Sequence, residues 1–229
     1  MKSASAFVAL PAGMAAVTLL LLAGYMPAFT QPASPSVRDA MSDLPAANGG
    51  HIAVETQSWK DGGEIPVQNT QFGDNAFPGL IWSSGPQGTK SYAIVVQDID
   101  ASQDGEPILH LTLYNIPGDD TRLNAGMVPE GNPRGSSYGP NYMGDARPYL
   151  GPEPPPGPKH HYHFQVFALD TMIPAGAAMT YDGLVRTMHG HVLASGEVVG
   201  LCDGAHPRAT PPPAKSDMAP AAPTHRHQY

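Results

Sequence analysis

The chain is short of cysteine, of clustered positive charge and of helix signals. Its 229 residues include one cysteine, Cys202. No intramolecular disulfide can form, so the fold must rest on its core. A lone cysteine of this kind reads as a small buried apolar residue. The 12 basic residues are outnumbered by 20 acidic ones, for a formal net charge of −8, and no Lys/Arg cluster occurs. That excludes nucleic acid and anionic membrane surfaces as electrostatic partners. An anionic ligand would have to be held by local groups, against the field of the whole chain. No internal repeat is present, and no HExxH spacing marks a zinc site.

What the chain does have is punctuation. Its 25 glycines and 26 prolines make up about 22% of the residues, against an ordinary share of roughly 12%. Both residue types interrupt helices and bound strands, which favours a loop-rich β protein.

The chain opens MKSASAFVALPAGMAAVTLLLLAGYMPAFTQPAS. Lys2 supplies a short positive region, residues 6–26 are apolar, and small and polar residues follow. This is the pattern of a secretory signal peptide. A leader over 1–30 is expected, cleaved near residues 28–33, and hence a periplasmic or secreted protein. The alternative is an uncleaved anchor through 6–26, long enough to span a bilayer although Pro11 and Gly13 interrupt it. No cysteine that would carry a lipid follows the run. Residues 31–50, rich in Pro, Ala and Ser, read as a linker, and 51–204 as the globular domain. Residues 205–229, with PPP, AP repeats, His225 and His227, read as a disordered tail.

Three segments alternate with period 2, the mark of a strand. SYAIVVQDID places Tyr92, Ile94, Val96, Asp98 and Asp100 on one face. PILHLTLYNIP places Ile108, His110, Thr112, Tyr114 and Ile116 on one face. HHYHFQVFALD does the same for His160, Tyr162, Phe164, Val166 and Ala168, with His161 and His163 on the other. The first strand ends at its polar residues and the other two begin near theirs. If the first runs antiparallel to the others, Asp98, Asp100, His110, His160 and Tyr162 meet at one end of the sheet. YDGLVRTMHGHVLASG holds one short helix around residues 184–189, and GEVVGLC reads as a last strand. The fold class is mainly β: an antiparallel β-sandwich with a few short peripheral helices.

Several motifs point to chemistry the context does not support. GSSYG at residues 135–139 matches the nucleophile elbow, but the elbow needs a buried strand before it and a helix after it. Asn-Pro-Arg precedes it here and Pro-Asn follows, so a loop is expected. VVQDIDAS resembles the first motif of haloacid-dehalogenase phosphotransferases, whose fold needs alternating βα units that this chain lacks. Asp98, His110 and His160 would supply three zinc ligands on one face, whereas His189 and His191 fall at a helix–strand junction and read as structural. The expectation is no catalytic residue, no bound metal and no cofactor.

The D-x-D-A turn, the histidine of PILHLTLYNIP, GPEPPPGPKHHYHFQVFALD and the closing MHGHVLASGEVVG together resemble the phosphatidylethanolamine-binding proteins. NAFPGLIWSSGPQGTKSYAIVV extends the likeness to their bacterial Raf-kinase-inhibitor-like branch, the YbhB/YbcL type. The match runs from about Val67 to Leu201. It implies a β-sandwich of two sheets with a small surface pocket for phosphate, phosphorylethanolamine or similar groups. Carried over, the pocket residues are Asp98, Asp100, His110, Gly151, Pro152, Pro154, Pro155, His160 and Tyr162. The family's D-P-D-A-P is D-I-D-A-S here, and its H-R-Y is H-H-Y, with His161 in place of arginine.

The resemblance implies an exported binding protein without turnover of its own, whose partner is a small phosphate-containing or other anionic ligand. Its alternatives are an inhibitor of a protein partner, a kinase or protease, and a metal-dependent hydrolase using the same His/Asp cluster. An export signal argues against a cytoplasmic kinase as the target. Two carboxylates in an anion site are expected to pair with His110 and His160, raising the histidine pKa values.

Overall fold

The computed structural model describes residues 39–103, 105–126, 135–144, 148–178 and 180–205. The expected leader and most of the expected tail, with His225 and His227, lie outside the described residues. Among the described residues no helix is long and apolar enough to cross a membrane.

Two sheets form the frame. β1 (Val54–Glu55), β3 (Leu80–Trp82) and β6 (Arg122–Leu123) make a small sheet in the order β1-β3-β6. The large sheet comprises β2 (Gly63–Glu64), β4 (Ser91–Gln103), β5 (Glu106–Pro117), β7 (Ser137–Tyr138), β8 (His160–Leu169) and β9 (Val192–Cys202). Its order is β2-β9-β8-β4-β5-β7. β4 runs antiparallel to both β5 and β8, as the meeting of polar ends requires. β9 also carries parallel pairing: β2 lies parallel to it, Gly63 opposite Gly200, and His51 makes an isolated parallel bridge to Ser195.

β4 and β8 alternate as their sequences predict, and both faces are buried. Tyr92, Ile94, Val96, Phe164, Val166 and Ala168 pack between the sheets against Trp59, Phe77, Leu80 and Trp82. Ala93, Val95, Phe167 and Leu169 pack on the far face. There α2 (Tyr181–Met188) buries Leu184 and Met188, one helical turn apart. Thr180 Oγ1 caps it by accepting from Gly183 N at 3.0 Å.

β5 does not alternate as predicted. Its pairing with β4 slips between Tyr92/Ile94 and again between Val96/Gln97. Asn115, with φ 61°, sits in the first slip. Leu113 and Ile116 therefore share the inter-sheet core while Tyr114 turns to the far face. In the second slip Val96 pairs Leu111 and Gln97 pairs Leu109, leaving His110 as the extra residue of a bulge. A bulge re-aims the side chain it carries, so His110 owes its direction to the slip and not to simple alternation.

The linker expectation also fails from Asp39 onward. Residues 40–43 form α1 (Ala40–Asp43), capped by Asp39 Oδ1 accepting from Ser42 N at 2.7 Å. Ala40 and Leu44 are fully buried on the far face of the large sheet. Gln97 Oε1 accepts from Ala40 N at 2.7 Å and Gln165 Oε1 from Met41 N at 2.8 Å. Both glutamines are buried and hydrogen-bond each other at 2.9 Å. They meet backbone donors that α1 itself leaves unsatisfied. The GSSYG stretch includes β7, an edge strand pairing Leu113 with Tyr138, and among the described residues no helix follows before α2. Cys202 is buried at the end of β9, its thiol pushed up to about 12 by burial and then by nearby Asp203.

Candidate functional site

Asp98 and Tyr162 are directly paired across β4 and β8, and His160 precedes Tyr162 by two residues on the same face. The His160 Nδ1–H donates to Asp98 Oδ2 at 2.7 Å. Asp98 Oδ1 accepts from the backbone N of Asp100 at 2.9 Å, and the carboxylate charge acts on the Tyr162 phenol. Burial and then the Asp98 charge raise the Tyr162 pKa, so it stays a phenol and a donor.

His110 enters from β5. Its ring stands edge-on to Tyr162, centroids 5.1 Å apart, and edge-on to Tyr142 at 5.3 Å. Its Nδ1 lies 2.6 Å from the Leu150 carbonyl. A carbonyl only accepts, so Nδ1 carries the proton. Burial, the largest effect, lowers the His110 pKa despite that bond and the Asp98 charge. The expected pairing of His110 with a carboxylate, and the raised pKa, are thus replaced by a neutral buried imidazole.

These side chains line a cavity of about 270 Å³ with Ile108, Tyr142, Glu153, Pro154 and Pro155. Of the residues picked from the sequence, Asp98, His110, Pro154, Pro155, His160 and Tyr162 come together there. Three do not line it. Asp100 turns to His161, accepting from its backbone N at 2.6 Å and from its ring Nδ1 at 2.8 Å. Burial of Asp100 opposes ionisation, but those two bonds outweigh it and hold the carboxyl below its ordinary range. The histidine in place of the family's arginine is therefore the partner of Asp100. Gly151 and Pro152 are spent on holding the loop. Gly151 N donates to Asn75 Oδ1 at 2.6 Å, and the Gly151 and Pro152 carbonyls accept from the Gln71 side chain and backbone. A Cβ on Gly151 would stand 2.6 Å from the Asn69 carbonyl oxygen, which explains the glycine.

Glu153 and Tyr142 escaped the sequence reading. Glu153 sits inside GPEPPP, between two residues already chosen, and its position was the available signal. Tyr142 comes from a loop with no periodicity, where its hydroxyl accepts from Gln71 Nε2 at 2.9 Å. Among the described residues no three His, Cys, Asp or Glu side chains gather as a metal site. His189 and His191 are remote from the cavity. Register puts Val192 opposite Leu169 and Cys202 opposite His160, so the two histidines sit at the other end of β9. His191 pairs there with Asp170 at 2.7 Å.

A second, smaller hollow of about 90 Å³ beside β3 and β6 is lined by Gln57, Arg122 and Asn124 together with Leu80, Ile81 and Leu123. It brings no titratable cluster together.

The family model for phosphatidylethanolamine-binding protein matches residues 55–203. The chain is 35% identical over 149 residues to a UPF0098 protein of Methanothermobacter thermautotrophicus, covering 65% of this chain and 96% of that one. It is 34% identical over 153 residues to LppC of Mycobacterium tuberculosis, named as a candidate lipoprotein, covering 65% and 71%. The crystal structure of YbcL from Escherichia coli superposes with a TM-score of 0.61 at 28% identity, over 67% of this chain and 99% of that one. That structure is described as a new member of the mammalian family. The two sheets, the bulge that turns His110 toward Tyr162, and these likenesses agree: the chain belongs to the phosphatidylethanolamine-binding protein family.

Proposed function

We propose that this is an exported, non-catalytic binding protein whose cavity takes a small phosphate-type anion of the phosphorylethanolamine kind. The observation that carries the reading is the convergence of His110, His160, Tyr162 and Asp98 on one cavity of about 270 Å³. That is near the low end of small-molecule sites, at roughly 300 Å³, and suits a head group better than a whole lipid. Asp98 holds the His160 ring through Nδ1, so that an imidazolium His160 would offer its second N–H, at Nε2, to an anion in the cavity. Glu153 adds a carboxylate to the same lining, of the sign that an ammonium group on the ligand would meet. The set has no nucleophile–base pair, which favours binding over turnover. Export is supported by Lys2 and the apolar residues 6–26, and by the likeness to a protein named as a candidate lipoprotein.

Calorimetric titration with phosphorylethanolamine tests this reading. Saturable binding is expected, lost in His160→Ala. Absence of heat at millimolar ligand, or an unchanged affinity in the variant, would refute it.

A further inference from the structure

α1 is fastened to the far face of the large sheet by groups that surround one histidine. Gln97 holds the Ala40 amide at 2.7 Å and Gln165 holds the Met41 amide at 2.8 Å. His163 is paired with Gln97 across β4 and β8. It precedes Gln165 by two residues on β8, so all three side chains share one face. The residue just ahead of the two held amides is Asp39, whose Oδ1 caps α1.

The charges around His163 are mostly negative. Glu197 on β9 bonds its ring at 2.7 Å. Asp39 acts on it from α1 and Asp100 from β4. Asp100 is itself paired with His161, two residues earlier on β8. At the other end of α1, Asp43 accepts from the Tyr181 hydroxyl of α2 at 3.1 Å. Burial opposes the imidazolium of His163, whereas Glu197, then Asp39, then Asp100 favour it. A protonated His163 is thus the cation that these carboxylates share. A neutral one leaves them to repel each other. Glu197 and Asp100 belong to long strands of the sheet, but Asp39 heads a helix of four residues. So short a helix has no stability of its own and persists only while it is docked.

We propose that α1 is a pH-dependent latch: protonated His163 holds Asp39, and with it residues 39–44, on the sheet, and loss of that proton loosens the segment while the sheet stays folded. The latch is closed on the acid side and loosens as pH rises through the raised pKa of His163. It governs whether the chain ahead of Pro45 is tied to the domain. α1 precedes residue 55, where the family match begins, so the device lies outside the matched domain.

The test is amide exchange on the full protein at about pH 6 and about pH 9, each rate divided by the intrinsic rate at that pH. Between the two, protection of residues 40–44 is expected to fall by at least about threefold relative to β8, the scale of a partly exposed charge pair. Asp39→Asn keeps a capping acceptor and removes the charge. His163→Gln removes the titrating group. Each variant is expected to abolish the fall. Unchanged protection in the native protein, a fall shared equally by β8, or the same fall in either variant would overturn the inference. Should His163→Gln fail to fold, the native protein and Asp39→Asn decide alone.

Discussion

His110 and Leu150 are joined in both directions. The Leu150 N–H donates to the His110 carbonyl at 2.9 Å, and the His110 Nδ1–H donates to the Leu150 carbonyl at 2.6 Å. This double tie fastens the proline-rich loop to β5 just before Gly151. His110→Phe keeps a ring between Tyr142 and Tyr162 but strands the Leu150 carbonyl. It is expected to cost about 1–3 kcal/mol, the range for a buried polar group left unpaired. Amide exchange over residues 148–156 should speed up more than exchange in β8. Unchanged stability by urea denaturation would show that the tie contributes nothing.

Asp98 is the second anchor. Its two oxygens accept from His160 Nδ1 and from the Asp100 backbone N. Asp98→Asn replaces one acceptor oxygen with an NH2 group, which faces the donor of His160 or the Asp100 backbone N–H. At least tenfold weaker binding of phosphorylethanolamine is expected, together with a lower melting temperature. Calorimetry and thermal unfolding check the two halves separately, and native-like affinity would remove Asp98 from the orienting role.

Much of this site was legible in the sequence because β4, as far as Asp98, and β8 keep a period of two. Asp98, His160 and Tyr162 follow from that period and from the antiparallel pairing. β5 was less legible. Two bulges interrupt it, at Asn115 and at His110, and a bulge leaves no periodic trace. His110 reached the right place for a reason that alternation does not contain. Asp100 was misplaced because the backbone leaves its register after Asp98, letting the carboxylate turn to His161. α1 was invisible, since four residues are too few to show a helical period. Its trace lay elsewhere, in two glutamines, Gln97 and Gln165, set inside otherwise apolar strands. Each had to meet a polar partner, and those partners are the first amides of α1.

That docking makes residues 39–50 part of the folded unit. A chain beginning at residue 51 loses the burial of Leu44 and Ala40 and the bonds to Gln97 and Gln165. The combined loss is roughly 3–5 kcal/mol, from about 1.5–3 for a buried leucine and about 1 for each hydrogen bond. Urea denaturation of a chain starting at Asp39 against one starting at His51 measures it. Equal midpoints would return the segment to the status of a linker.

The far face also carries a pH-dependent pair. His163 Nδ1 lies 2.7 Å from Glu197 Oε2 across β8 and β9, both side chains largely covered. Burial disfavours the imidazolium, but the Glu197 bond and charge outweigh it and raise the His163 pKa above its ordinary value. A histidine whose pKa is raised on folding binds its proton more tightly in the native state. Its contribution is full below the unfolded value of about 6.5 and disappears as pH rises through the higher folded value. Glu197→Gln removes the charge while keeping the shape. The stability difference between native protein and variant is therefore expected to be larger at about pH 6 than at about pH 9, where both histidines are neutral. Chemical denaturation at the two values reads it directly. A difference that stayed constant, or grew toward alkaline pH, would show that the pair acts through packing alone.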